Sequence, residues 1–239
     1  MMESRCNSQQ IEENLKRISE ELAEAALQSG RKPEDISLMA VTKTVPPELI
    51  NTSFYWGVRL FGENRAQELC EKWKDYAFGR ESIHFIGTLQ TNKVRQIIDK
   101  VSCIQSVNSL HLAKEIDKRA AAMGRPMDVL LEVNIGEEES KSGMGLSDVP
   151  GLLDELGAFS FIKIKGLMCI PPLQRTEVET ERYFDQMYKL FVDIKHKKLD
   201  NISMETLSMG MSRDYLCAVR HGANLVRIGS GIFGKRNQH

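Results

Sequence analysis

The chain has 239 residues, of which 41% are hydrophobic and 27% are charged, and its formal net charge is −1. This size and composition are typical of one large globular domain, so we expect a single domain over residues 1–239. The near-zero net charge argues against a nucleic-acid-binding surface. No apolar run reaches the roughly 18 residues that a membrane-spanning helix needs.

The first ten residues are polar and contain no apolar signal core, which indicates a cytoplasmic protein. The five cysteines contain no CxxC pair, and this argues against a structural zinc site and against a disulfide framework: Cys6, Cys70, Cys103, Cys169 and Cys217. The acidic run Glu137–Glu139 has no histidines at ligand spacing, so we expect a solvated loop there and no metal site.

The chain begins with apolar residues at three- and four-residue spacing, which predict an amphipathic N-terminal helix that ends at Gly30 and Pro33. Eight strand-like segments follow, each separated from the next by a helical pattern: residues 38–41, 58–61, 83–86, 102–107, 128–135, 162–168, 204–207 and 224–228. Strands that alternate with helices pair in parallel, and eight such units in about 250 residues make a (β/α)₈ barrel. A doubly wound open sheet is the main alternative. Few residues follow the eighth strand, so we expect the N-terminal helix to fill the last place in the outer ring.

Polar and glycine-rich residues follow the predicted strands, and in a barrel these strand ends converge on one face. They are Lys43, Gly62–Asn64, Gly87, Asn134, Ser208, Gly229 and Ser230. The loops after strands seven and eight are the usual phosphate site of such barrels. There Ser208 offers a hydroxyl, and Gly229 and Ser230 offer backbone N–H groups, although a tight turn alone would also explain Gly229.

Lys43 stands at the end of the first strand, just before the prolines that begin the next helix. Its charge could simply reach water at the rim of the barrel. Alternatively, Lys43 is buried at the barrel mouth as a reactive amine that forms a Schiff base with an aldehyde. An aldehyde that also fits a phosphate site is pyridoxal 5′-phosphate. Arg227, inside the eighth strand, could donate to the pyridine nitrogen of that cofactor, or form a salt bridge at the rim.

The segment Gly229–Gly234 matches the dinucleotide pattern G-x-G-x-x-G. A dinucleotide fold requires a following helix, a second strand and an acidic residue about 20 positions further on. The sequence continues for only a few residues beyond Gly234, so we expect no dinucleotide site.

Long motifs in the chain resemble the pyridoxal phosphate homeostasis protein family, also called YggS/PROSC. The motifs cover nearly the whole chain in order: Ala40-Val-Thr-Lys-Thr44, Phe61-Gly-Glu-Asn-Arg-Ala-Gln-Glu68, His84-Phe-Ile-Gly-Thr-Leu-Gln-Thr-Asn-Lys93, Gly166-Leu-Met168, Leu207-Ser-Met-Gly-Met-Ser212 and Val226-Arg-Ile-Gly-Ser-Gly-Ile-Phe-Gly234. In relatives the last turn often reads Gly-Thr-Ala, and Gly229-Ser-Gly231 here keeps the hydroxyl.

The resemblance implies one barrel of pyridoxal phosphate fold type III, like the N-terminal domain of alanine racemase. It implies that Lys43 is the Schiff-base lysine and that Arg227 faces the ring nitrogen. Phosphate would be held by Ser208, Gly229 and Ser230, and Asn64 would line the pocket. It further implies cofactor buffering or delivery without robust catalysis. Apo forms of pyridoxal phosphate enzymes are possible recipients, and we expect a monomer or weak dimer.

Two other functions compete with cofactor binding. An amino-acid racemase needs a base on each face of its substrate, and none of the five tyrosines clearly stands at a predicted strand end. An arginine at the ring nitrogen also weakens the electron sink that carbanion chemistry uses. A phosphosugar aldolase, with the Schiff base formed directly on substrate, needs an acid or base near Lys43 that the sequence does not reveal.

Overall fold

The predicted alternation closes into a barrel in a computed structural model, which describes residues 7–137, 142–197 and 201–234. Its eight strands are β1 Ser37–Val41, β2 Leu60–Glu63, β3 Ile83–Phe85, β4 Cys103–Val107, β5 Met127–Val133, β6 Ile162–Cys169, β7 Ile202–Ser208 and β8 Leu225–Ile228. Each strand pairs in parallel with the next, and β1 pairs with β8. The (β/α)₈ prediction is confirmed, and the open-sheet alternative is wrong.

Helices surround the strands. Those in the described part of the chain are α1 Ser8–Gln28, α2 Pro47–Tyr55, α3 Ala66–Lys72, α4 Val94–Ile97, α5 Leu110–Ala122, α6 Val149–Leu156, α7 Glu177–His196, α8 Tyr215–Arg220 and α9 Ser230–Phe233. Within the same residues, no helix is both long and apolar enough to span a bilayer.

The N-terminal helix α1 completes the outer ring, as the sequence predicts. Asn7 caps it by accepting the Gln10 N–H, and its apolar stripe, which includes Ile11 and Ile18, is buried. The helix packs against α2, α8 and the short α9. Asn14 Nδ2 donates to the carbonyl of Ile232 at 3.0 Å. Because α9 has only four residues, α1 occupies the position that a full eighth helix would take.

Alternation along the strands separates two layers. On β5, Val129 and Leu131 belong to the large apolar core between strands and helices. Leu130 packs instead in a small separate cluster with Cys103 and Met168. Successive side chains of a strand point to opposite faces, so this second set faces the barrel interior.

The second strand begins and ends later than the predicted residues 58–61. Val58 lies in the turn that follows α2, because its N–H donates to the carbonyl of Ser53 at 3.1 Å. Gly57, with φ of 98°, makes that turn possible. At the other end Gly62 and Glu63 are paired with β3, so Asn64 is the first residue after the strand.

Candidate functional site

A chain of hydrogen bonds crosses the barrel interior from β8 to β3. Arg227 Nη1 donates to Ser208 Oγ at 2.6 Å, and this hydroxyl donates to Gln105 Oε1 at 2.7 Å. Gln105 Nε2 lies 2.8 Å from His84 Nδ1. Because the oxygen of the Gln105 amide faces Ser208, its N–H faces His84, and Nδ1 of His84 accepts the hydrogen bond. The four side chains therefore form one directed network.

The protonation states of the two ends agree with this direction. Burial lowers the pKa of His84 to about 4, so the imidazole is neutral at pH 7 and can accept. Arg227 is 3% exposed and its Nη2 also donates to the carbonyl of Cys169 at 2.8 Å. Burial lowers the pKa of Arg227, but a guanidinium keeps its charge in proteins. The barrel thus contains a buried, immobilised cation.

Glu132, which the sequence does not single out, is an acidic residue near the carboxyl end of the mainly apolar strand β5. It is 5% exposed, and its Oε1 accepts from Ser142 Oγ at 2.8 Å. Its Oε2 is buried and has no hydrogen-bond partner among the residues that the structure describes. Burial raises the pKa of Glu132, whereas Ser142 and the charge of Arg227 oppose the rise. An unpaired buried oxygen near a buried cation is typical of a ligand site.

Lys43 lies in a turn two residues beyond β1, and its side chain is exposed. The expected burial of Lys43 at the barrel mouth is therefore wrong for this structure. The reason is the turn itself: Thr44 has φ of 61°, and its N–H donates to Glu68 Oε1. Lys72 Nζ donates to the carbonyl of Thr42 at 2.9 Å. These contacts hold the backbone on both sides of Lys43 and leave the amine accessible.

The buried carboxylate of Glu63 stabilises the start of the Lys43 turn through a hydrogen bond with Thr42. Glu63 Oε1 accepts from Thr42 Oγ1 and from Tyr76 OH, both at 2.6 Å, and lies 3.6 Å from Lys72 Nζ. Burial raises the pKa of Glu63, while Lys72 and the two hydroxyl donors oppose it. Burial and Glu63 also raise the pKa of Tyr76, which keeps this phenol protonated as a donor.

Asn64 follows β2 and is half-buried, and its Oδ1 is buried without a hydrogen-bond partner in the described ranges. The loop after β3 approaches it closely. A Cβ on Gly87 would overlap the backbone carbonyl of Asn64, so glycine is required there. The close approach fixes the Asn64 backbone at the barrel rim.

The loops after β7 and β8 meet in a glycine-rich turn. Gly229 precedes α9 and is buried, whereas Ser230 is exposed. Gly231 N–H donates to Ser212 Oγ at 3.3 Å. The hydroxyl beside this turn therefore belongs to Ser212, which lies in the Leu207–Ser212 motif but is not one of the predicted phosphate residues. The hydroxyl of Ser208 is fully buried and is already engaged by Arg227 and Gln105.

The strand register relates these features to one another. Met39 on β1 is the pairing partner of Arg227 on β8, so Lys43 and Gly229 follow neighbouring strands at the same end of the barrel. Of the acidic run Glu137–Glu139, only Glu137 is described, and it is exposed. Glu138 and Glu139 lie outside the described residues.

The chain matches the family described as "Alanine racemase, N-terminal domain" over residues 6–237. It is 38% identical to a pyridoxal phosphate homeostasis protein of Aquifex aeolicus, over 94% of this chain and 97% of that protein. A protein of the same name from Pseudomonas aeruginosa is 35% identical, over 95% and 96% of the two chains.

Solved structures give the same result. PipY of Synechococcus elongatus, solved with PLP bound, superposes with a TM-score of 0.75 at 33% identity, over 91% of this chain and all of that chain (100%). Alanine racemase of Corynebacterium glutamicum has a TM-score of 0.70 at 16% identity, over 95% of this chain and 61% of its own, and shows the fold alone. By sequence and by structure, the chain belongs to the pyridoxal phosphate homeostasis protein family.

Proposed function

We propose that the chain binds pyridoxal 5′-phosphate at the carboxyl ends of its strands and buffers or delivers it. One observation carries the proposal: the pairing of β1 with β8 places the Lys43 turn, the buried Arg227 and the Gly229 turn side by side. The relatives' name and the PLP-bound PipY support the choice of ligand. Among the buried side-chain oxygens that have no hydrogen-bond partner in the described residues, those of Asn64 and Glu132 fit a polar ligand.

Each residue has a distinct task in this proposal. The cofactor supplies an aldehyde, with which the accessible amine of Lys43 condenses as a Schiff base and releases water. The N–H groups of Gly229 and Ser230, together with the Ser230 and Ser212 hydroxyls, hold the phosphate. Arg227 donates to the ring nitrogen.

The sequence predicts that Ser208 binds the phosphate, but its contacts favour a role in orienting Arg227. Because its hydroxyl lies between Arg227 and Gln105, we assign it to orienting the guanidinium rather than to direct phosphate binding. Asn64 lines the pocket through its buried Oδ1.

The proposal assigns no catalytic turnover. All five tyrosines lie among the described residues, and each is on a helix or outside the strands: Tyr55, Tyr76, Tyr183, Tyr188 and Tyr215. Tyr76 and Tyr215 donate their hydroxyls to Glu63 and Glu21. A racemase needs a second base opposite the lysine, and no tyrosine follows a strand end in the described residues. Arg227 also disfavours a protonated ring nitrogen, which carbanion chemistry requires.

Spectroscopy and single-turnover transfer test the proposal. Purified protein mixed with pyridoxal phosphate should gain a visible absorbance band that borohydride abolishes, with the reduced adduct on Lys43 by mass spectrometry. A holo-protein should then activate an apo-enzyme that depends on the cofactor. A colourless protein would refute the binding, and racemisation at about 1 s⁻¹ or faster would refute the non-catalytic role.

A cytoplasmic location is also proposed, because the described cysteines are all free thiols, as in a reducing compartment.

A further inference from the structure

Outside the barrel, helices α7 and α8 bring three potential metal ligands together. One ligand atom each of Glu181, Cys217 and His221 lies within 4.8 Å of the others. We propose that these three side chains bind a Zn²⁺ ion. The cluster joins residues from two helices, so the spacing of cysteines along the sequence could not reveal it.

The local structure explains why the cluster forms. Cys217 and His221 are four residues apart at the end of α8, and Glu181 is one turn before Asp185 on α7, so each pair shares a helix face. Gly222, with φ of 97°, ends the segment, and a Cβ there would overlap the ring of Tyr188 on α7. The missing Cβ lets the end of α8 approach α7 closely.

The donor set fits zinc better than calcium or magnesium. A thiolate, an imidazole and a carboxylate are the donor types of Zn²⁺ sites, whereas Ca²⁺ and Mg²⁺ prefer oxygen alone. Bonds of about 2.0–2.3 Å set ligand separations of roughly 3.5 Å, so the side chains must move inward by about 1 Å. Glu181 is exposed and can rotate to do so. Three protein ligands leave the fourth tetrahedral position for water.

Asp185 is in position to orient the imidazole of His221, as carboxylates do for histidines that bind zinc. His221 Nδ1 lies 2.6 Å from Asp185 Oδ1. A carboxylate in this position holds the imidazole and leaves the other nitrogen as the basic one. Asp185 is therefore a positioning residue for the ligand His221.

Cys217 should lose its proton when the ion binds. Binding exchanges the S–H proton for a Zn–S bond and releases one proton to solvent, so affinity should rise with pH.

The test is Zn²⁺ titration of the full chain against a chromophoric chelator, with Co²⁺ as a spectroscopic substitute. We expect one equivalent to bind, with a thiolate-to-cobalt charge-transfer band. Cys217→Ser should abolish this band and weaken Zn²⁺ binding by more than about 100-fold, because loss of an outer partner alone costs about 10–100-fold. Asp185→Asn, an exposed change that leaves the ligands intact, should weaken it by about 10–100-fold.

Matched controls keep the test independent of the cofactor site. Cys6→Ser and Cys70→Ser should bind Zn²⁺ as the parent does, and so should Lys43→Ala. The proposal is overturned if Cys217→Ser and His221→Gln retain parental affinity, or if the charge-transfer band disappears with Cys6 or Cys70 instead.

Discussion

Lys43 follows β1 and Arg227 lies in the neighbouring strand β8, but the two side chains are held in opposite ways. Lys43 is exposed in a turn after β1, and the backbone of its neighbours Thr42 and Thr44 is hydrogen-bonded to side chains of α3. Arg227 lies within β8, is 3% exposed, and is fixed through its own guanidinium. In the proposed site, the group that would react with an aldehyde is accessible, and the group that would orient the ring is immobile.

Because Lys43 is exposed and Arg227 is buried, the first should matter mainly for cofactor attachment and the second also for folding stability. An exposed side chain contributes little to folding, whereas a buried cation with charge-assisted hydrogen bonds is coupled to the core. Substitutions at the two positions should therefore affect different measurements.

The largest expected effect is at Lys43. Lys43→Ala should lose all borohydride-stable attachment of pyridoxal phosphate while its unfolding free energy changes by less than about 0.5 kcal/mol, because the side chain is exposed. Intact-mass spectrometry after reduction measures the adduct, and chemical denaturation measures stability. Lys74→Ala, an exposed lysine on the outer ring, is the control and should retain the adduct. An adduct at another lysine in Lys43→Ala would reassign the Schiff base.

Arg227→Met, unlike Lys43→Ala, should lower the unfolding free energy of the cofactor-free protein. It removes two hydrogen bonds from a charged donor, to Ser208 and to the Cys169 carbonyl. At about 1.5–3 kcal/mol each, the loss should be on the order of 3 kcal/mol or more. Urea denaturation measures it, with Ser230→Ala as an exposed control on the adjoining turn. Parental stability in Arg227→Met would mean that the network is not structural.

The pH dependence of stability should reveal the far end of the same network. The pKa of His84 is about 4 in the folded protein against an ordinary value of 6.5, so between these pH values the unfolded chain binds the proton more readily. Stability should therefore fall as pH drops from about 6.5 to about 4, by up to about 3 kcal/mol from this group. Carboxylates titrate in part of this range, so the measurement is the difference between the parent and His84→Gln. Equal slopes in both proteins would contradict a neutral His84 with a lowered pKa.

The smallest expected effects are those of Ser212→Ala on cofactor binding and of Ser208→Ala on stability. Ser212→Ala should weaken pyridoxal phosphate binding about tenfold, equal to about 1.4 kcal/mol, and leave the stability of the free protein unchanged. Ser208→Ala should lower stability by about 1–3 kcal/mol, because it leaves buried polar groups unpaired. Fluorescence titration and denaturation measure the two quantities, with exposed Ser147→Ala as the control. If Ser208→Ala weakened only binding, Ser208 would contact the phosphate directly.

The barrel could be predicted from sequence because it depends on periodicity and order. Eight apolar segments separated by helical patterns suffice for the topology, and the apolar stripe of α1 predicts a helix that packs against the rest of the fold. Strand ends were less predictable: Val58 looks like a strand residue but completes the hydrogen bonding of α2.

Side-chain roles depended on contacts between distant segments. Glu68 is 24 residues from Thr44, yet its hydrogen bond fixes the turn that exposes Lys43. The engagement of Ser208 by Gln105 spans 103 residues, so a sequence motif could not show that its hydroxyl is occupied. Glu132 did leave a signal, an acidic residue between Leu131 and Val133 in a mainly apolar strand, and such a residue suggests a buried function.

The seam of the barrel, where β8 pairs with β1 and α9 packs on α1, should affect how long the protein resists degradation. The hydrogen bond of Asn14 to Ile232 joins residues 218 positions apart, so closing this part of the ring carries a large loop-closure entropy cost. The proposed phosphate turn, Gly229 to Gly231, lies in that seam. A ligand there binds only the closed chain and shifts the balance against opening. We expect the cofactor-loaded protein to resist proteolysis longer than the empty one, so that cofactor supply would set how much of the protein a cell retains.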